Sequence, residues 1–221
     1  MPRREKTSRA PSAPAAEPVP PQRRDTYHHG DLRNALVAAA VELVEGSSPE
    51  ELTLREVSRR VGVNHRAAYR HFEDKTALLA AVAEDGYRGL LAAMESALQR
   101  ASKTDAAERL MALAVAYVSF AIDQPARYRI MFGRRLNEDG RFNTLEDLVA
   151  RAYSLLAGEL RAGQVSKQFS DTPVRELAFG VWSLTHGFAS LAIVRRLKVK
   201  RALVDSWARQ VFAPYIEGLA R

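Results

Sequence analysis

Cysteine is absent from all 221 residues. Its absence excludes a disulfide framework, a zinc–thiolate site, an iron–sulfur cluster and a thiol nucleophile. Long apolar runs are also scarce. Leu110–Ile122 is uncharged but only thirteen residues long, too short to span a bilayer comfortably. Leu177–Val194 has eighteen uncharged residues, yet it includes Ser183, Thr185, His186 and Ser190. A helix apolar nearly all round is also what packing between protein layers or subunits requires, and that is the expectation here. The N-terminus is basic, but Pro, Ala and Ser follow it where a secretion signal has an apolar core. A cytoplasmic, reducing setting without membrane contact is therefore expected.

The chain also lacks a phosphate-binding glycine loop, a zinc-protease helix and a nucleotide fingerprint. His28-His29 is a poor metal pair, because adjacent residues on a helix diverge by about 100° and no carboxylate cluster completes a site. No enzyme, no metal and no cofactor are expected.

Basic charge is present, and its position matters more than its total. The net charge is +7. Residues 1–24 carry six basic groups against two acidic ones, whereas residues 25–75 carry seven against nine. The first segment also holds six of the ten prolines and has no periodic apolar face, so residues 1–26 are expected to form a disordered arm. Its arginines suit non-specific phosphate attraction or simple solubility. A basic total alone does not locate a nucleic-acid surface.

From Asp31 onward the apolar spacing is helical. Leu32, Leu36, Ala39, Ala40, Leu43 and Val44 share a face that ends at Gly46-Ser47-Ser48-Pro49. Thr53 with Glu56 forms a capping box for a short second helix carrying Leu54, Val57 and Val61. Gly62 ends it, Asn64 caps a third helix reaching Phe72, and Asp74 caps a long fourth. Later helices are expected near 105–123, 125–132, 143–162, 173–195 and 202–218, giving an all-α fold. Strand signals are too sparse for a sheet.

Two short capped helices around a glycine turn have the dimensions of a helix-turn-helix. Val57, Val61, Val63, Ala68 and Phe72 suit the packing between them, leaving His65, Arg66, Ala67, Tyr69, Arg70 and His71 on the remaining surface. From Thr53 to Lys75 there are six basic residues against three acidic, so the local charge turns positive. Arg66 offers paired donors to guanine, and the Ala67 methyl suits a thymine methyl. Tyr69, His71 and Lys75 suit phosphate contacts, with Lys75 beside a helix N-terminus. Each residue also has a purely structural reading, as a buried ring or a solvated charge.

At this point the chain resembles a known family. Tyr27-His28-His29-Gly30-Asp31-Leu32-Arg33, Leu52-Thr53-Leu54-Arg55-Glu56-Val57 and Tyr69-Arg70-His71-Phe72-x-x-Lys75-x-x-Leu78 are similar to the DNA-binding domain of TetR-type transcriptional regulators, over residues 27–90. Pro125-x-x-Tyr128-x-x-Met131-Phe132-Gly133 and Trp182-x-x-x-His186-Gly187 resemble the C-terminal domain of a subgroup with a Trp-His-Gly signature, here residues 91–221. The resemblance implies a homodimer on a palindromic double-stranded DNA operator, one reading helix per subunit, and a small-molecule effector in the C-terminal domain. Repression relieved by the effector is the commonest outcome that it implies.

On the DNA side, the resemblance places Thr53 and Arg55 at the backbone and Asn64 through Arg70 in the reading helix. Many members have Thr-Leu-Tyr where this chain has Ala67-Ala68-Tyr69, so no hydroxyl contact carries over to Ala67. In the regulatory half, Tyr117, Phe120, Met131, Phe132, Tyr153, Trp182 and His186 are candidate ligand contacts, with His186 and Thr185 or Ser183 as polar handles. Core packing is the alternative for each. Ala189, Ile193, Leu203, Trp207, Val211 and Tyr215 are candidates for a dimer face formed by the last two helices, as the resemblance implies. The basic run Arg195–Arg201 is expected to be a solvated connection. A structural DNA-coating protein with no effector is the competing reading, and it predicts weak sequence discrimination.

Overall fold

Helix caps written in the sequence set the front of the structure. In the computed structural model, which describes residues 29–220 and side chains from Leu32 onward, α1 spans His29–Gly46. The expected arm, Tyr27 and His28 lie outside the described residues, and of His29 only the backbone is described. Helix α2 (Leu54–Val61) starts at Thr53, whose side chain accepts from the Glu56 amide, and stops at Gly62 with φ of 80°. A residue with a Cβ is strained at that φ, so glycine ends the helix cheaply. Helix α3 (His65–Tyr69) starts at Asn64, whose side chain accepts from the Arg66 amide. It is shorter than expected. Beyond Tyr69 the chain continues in turns, with Arg70, His71 and Phe72 donating to Ala67 and Ala68 carbonyls. Helix α4 (Lys75–Arg100) starts at Asp74, whose side chain accepts from the Ala77 amide.

The remaining elements are α5 (Ala106–Asp123), α6 (Pro125–Met131), α7 (Asn143–Val165), α8 (Val174–Ile193) and α9 (Val204–Gly218). A single 3₁₀ turn, Arg201–Leu203, precedes α9. The described residues contain no strand, as the missing period-2 pattern predicts. Nor is any described helix long and apolar enough to cross a membrane.

Helices α1–α3 wrap one small core. Leu36, Val44, Val57 and Ala68 have no exposed surface, and Phe72 is also buried. Each of the larger side chains, Leu36, Val44, Val57 and Phe72, contributes roughly 1.5–3 kcal/mol relative to exposure. Helix α4 runs from this core into the second layer without a break and packs on α1, α5, α6 and α7. It therefore crosses the expected boundary at residue 90 as continuous helix. Helices α8 and α9 pack chiefly on α5.

Candidate nucleic-acid interface and apolar cavity

The packing of α2 on α3 decides what remains outside. Ala68 is fully buried and Ala67 is half-buried against the core, whereas Asn64, His65, Arg66, Tyr69 and Arg70 are exposed. Half the surface of Tyr69 faces solvent, an unusual cost for an aromatic ring without a partner, and its only described ring contact is the edge of His65 at 6.4 Å. Thr53 and Arg55 are exposed at the start of α2. Arg66, Tyr69 and Arg70 make no described side-chain hydrogen bond or ion pair, so they remain free for an external partner. His71 is half-buried and sits in the turn after α3. Lys75, half-buried, donates to the Glu50 carbonyl and ties the 47–53 connection to α4, which leaves two of its three N–H donors for a phosphate.

Directly behind α3 lies a charged junction that periodicity did not reveal. One carboxylate oxygen of Asp74 caps α4, and the other receives Arg141 at 3.1 Å. Arg141 also reaches Glu73 at 3.5 Å, bonds Asp139 and lies 5.0 Å over the Phe142 ring. It thus links the residues following α3 to those preceding α7. Asn137 fixes the same connection by accepting from the Phe142 amide at 2.8 Å.

Helix α7 leads from that junction to a cavity of about 300 Å³ enclosed by α4, α5, α7 and α8. Its walls include Tyr87, Leu90, Met94, Leu113, Tyr117, Phe132, Val149, Tyr153, Leu156, Val181, Trp182 and Thr185. No Asp, Glu, Lys, Arg or His lines it. Tyr153 and Trp182 are partly exposed and stand where the cavity meets solvent. Of the expected contacts, Tyr117, Phe132, Tyr153 and Trp182 are present. Phe120 and Met131 are not. Phe120 sits against Gly89 of α4, and Met131 fills the space above Gly86, so both pack on α4 away from the cavity lining.

His186 lies just behind the wall. Its Nδ1 is 2.9 Å from the Tyr117 hydroxyl and 2.7 Å from that of Tyr128, and the two hydroxyls are 3.3 Å apart. Burial pushes the His186 pKa below its usual value, and burial raises both phenols. The cluster is therefore neutral around pH 7. Thr185 is not a free handle, since its hydroxyl is committed to the Val181 and Trp182 carbonyls. Sequence reasoning missed Tyr87, Met94 and, on α7, Val149 and Leu156 beside the expected Tyr153. Tyr128 was visible only as part of a motif.

The family described as bacterial regulatory proteins of the tetR type matches residues 36–82. A second family, described as the tetracycline repressor-like C-terminal domain, matches residues 110–213. The chain belongs to the TetR family. Its front unit is accordingly a DNA-binding helix-turn-helix of TetR type. A protein of unknown function from Rhodococcus sp. RHA1 is 31% identical, covers 90% of this chain and 100% of its own, and superposes with a TM-score of 0.77. A tetR-family regulatory protein from Rhodococcus RHA1 shares the fold at 21% identity and a TM-score of 0.69, over 82% of this chain and 95% of its own. Tetracycline repressor protein class C of Escherichia coli is 44% identical over 52 residues, 24% of each chain. The match thus spans about a quarter of that curated relative.

The last two helices carry an apolar surface that the other described residues leave largely uncovered, with Arg175 lying over the Phe179 ring at 5.4 Å. Phe179, Leu191 and Val194 on and after α8, with Leu203, Trp207 and Val211 on and before α9, are each at least 40% exposed. Leu203, Trp207 and Val211 were expected there, and Phe179, Leu191 and Val194 were not. Ala189 must be withdrawn from that face, because it is fully buried in the protomer's own core. Ile193 and Tyr215 are half-buried. The Tyr215 hydroxyl rests over Gly180, where any Cβ would collide with it. The basic run is exposed at Arg195, Arg196, Lys198, Lys200 and Arg201, with Arg201 paired to Asp123.

Proposed function

We propose that this protein is a ligand-responsive transcriptional repressor. It binds a palindromic operator as a homodimer through residues 27–90 and is released by a small molecule held in residues 91–221. The observation that carries this reading is the joint exposure of Arg66, Tyr69 and Arg70 on α3, beside a core that buries Val57, Ala68 and Phe72. Arginines without an internal partner next to an exposed tyrosine have the donors that guanine edges and phosphates accept. Asn64, His65 and Ala67 complete the reading helix with them, and Thr53 and Arg55 approach the backbone.

The uncovered α8–α9 surface supports pairing of two copies. Six large apolar side chains on neighbouring helices are the raw material of a four-helix interface. The Trp182 and His186-Gly187 positions agree with the Trp-His-Gly subgroup. The cavity supports an effector, and Arg141 supplies a physical route from α7 to the residues behind α3. An effector shifts DNA affinity only if it favours one arrangement of that route over another.

Selection of genomic fragments by the purified protein, followed by light scattering of protein and complex, tests the reading. A dimer that enriches inverted repeats at moderate salt supports it. A monomer that retains no duplex overturns it.

A further inference from the structure

The cavity walls narrow the chemistry of what enters. We propose that the effector is an uncharged, largely apolar molecule carrying one carbonyl or hydroxyl oxygen, which docks on the Tyr117 end of the Tyr117–Tyr128–His186 relay. This rests on the proposal that the cavity is the effector site.

The absence of charge in the walls is the first argument. An ionised group transferred from water to such walls loses its hydration and finds no counter-charge, which forces it to neutralise or stay outside. The apolar body of a guest, by contrast, gains from burial against Leu90, Met94, Leu113 and Val149. A carboxylate or phosphate is therefore selected against at the point where a hydrocarbon is selected for.

The relay supplies the second argument. Three polar groups share few partners: two phenols converge on one ring nitrogen, at 2.7 and 2.9 Å. One lone pair on Nδ1 cannot accept both at full strength, and the remaining phenol–phenol contact is long at 3.3 Å. Tyr117 lines the cavity whereas Tyr128 and His186 do not, which makes Tyr117 the outer member of the relay. With the ring proton on Nε2, the hydroxyls chain toward Nδ1 and Tyr117 presents lone pairs to the cavity. With the proton on Nδ1, the chain reverses and Tyr117 presents its O–H. The site can thus serve either a hydroxyl or a carbonyl oxygen without creating a charge. A hydrocarbon without oxygen would leave that capacity unused.

Matched probes of one chain length test this on the full-length protein. Decanol, methyl decanoate and decanoate are titrated while the fluorescence of Trp182, in the cavity wall, and the Tm are followed. Decanol and methyl decanoate are expected to bind at least about a hundredfold more tightly than decanoate well above the acid's own pKa, as an unpaired buried carboxylate requires. Decanoate should gain affinity as the pH falls toward that pKa. Tyr117→Phe keeps the ring and removes the outer oxygen. It should weaken both neutral probes about fivefold, the worth of one net hydrogen bond. Equal or tighter binding of decanoate overturns the proposal while leaving the cavity as effector site. Undiminished decanol binding by Tyr117→Phe overturns the docking point. Failure of all three probes to bind the folded protein removes the cavity assignment itself, and the proposal with it.

Discussion

The two candidate sites are built on opposite principles. The α3 surface consists of side chains that the fold leaves alone: Arg66, Tyr69 and Arg70 are exposed and have no described hydrogen-bond partner. The cavity consists of side chains that the fold has nearly used up, with Tyr117 buried and bonded to its neighbours. Substitution should therefore separate binding from stability at the first site and entangle them at the second. An exposed arginine is free to specify a partner because it contributes nothing to the core behind it.

The largest effect that sharpens this contrast is expected in the small core itself. Leu36→Ala removes a side chain with no exposed surface and should cost about 2–5 kcal/mol of stability. Denaturant unfolding followed by circular dichroism measures it, and a loss under about 1 kcal/mol would mean that α1 is not packed as described. Next comes Arg66→Ala, expected to weaken operator binding by about 1–3 kcal/mol. Its Tm should stay put, since surface substitutions usually fall within about 0.5 kcal/mol. Titration at fixed salt reads the first quantity and a thermal melt the second. A fallen Tm with unaltered DNA affinity would reverse the contrast.

Much of this organisation is legible in sequence, and the physical reason is locality. Thr53, Asn64 and Asp74 each cap a helix through an amide two or three residues away, so neighbouring letters suffice to find α2, α3 and the start of α4. The exposed α3 surface is legible for the same reason, because one helix turn separates its members. The cavity is different. Tyr117 and His186 lie 69 positions apart and meet only because α5 and α8 pack side by side. Periodicity tells that Phe120, Met131 and Ala189 point inward or sideways on their helices, but not toward which neighbour. Phe120 and Met131 consequently fell outside the cavity, and Ala189 fell inside the core. Arg141 carried no periodic signal at all, since it sits in a connection and acts through residues more than sixty positions earlier.

That arginine joins the two regions, and its removal should produce a smaller effect of a different kind. Arg141 and its partners are substantially exposed, so Arg141→Gln should change stability by no more than about 1 kcal/mol. DNA affinity without effector should also change little, because Arg141 is not on the exposed α3 surface proposed to read DNA. What should fall is the ratio of DNA affinities with and without effector, by a few-fold, as expected when a link between two sites is cut. A paired titration with decanol present and absent measures that ratio. If it matches wild type, coupling runs through another contact, such as the seating of Met131 on Gly86.

The smallest effect concerns protons, and its sign follows from burial. His186 is held below its usual pKa by desolvation. Its neighbours across the packing, Tyr117 on α5 and Tyr128 on α6, are pushed upward by burial and stay neutral through the same range. Unfolding exposes the imidazole, which then binds a proton at its ordinary pKa near 6.5 while the folded protein still resists it. The unfolded state therefore carries more protons as pH falls below that value, so stability contributed by the neutral ring is present above it and lost below. His186→Asn retains a polar side chain but does not titrate. Comparing Tm for the two proteins between about pH 7.5 and 5.5 cancels the carboxylates common to both. Wild type should lose more Tm than the variant over that interval, by a degree or two at most. Parallel curves would mean that the ring is already solvated in the native protein, and the relay behind the cavity would then lack the dry setting that keeps it uncharged.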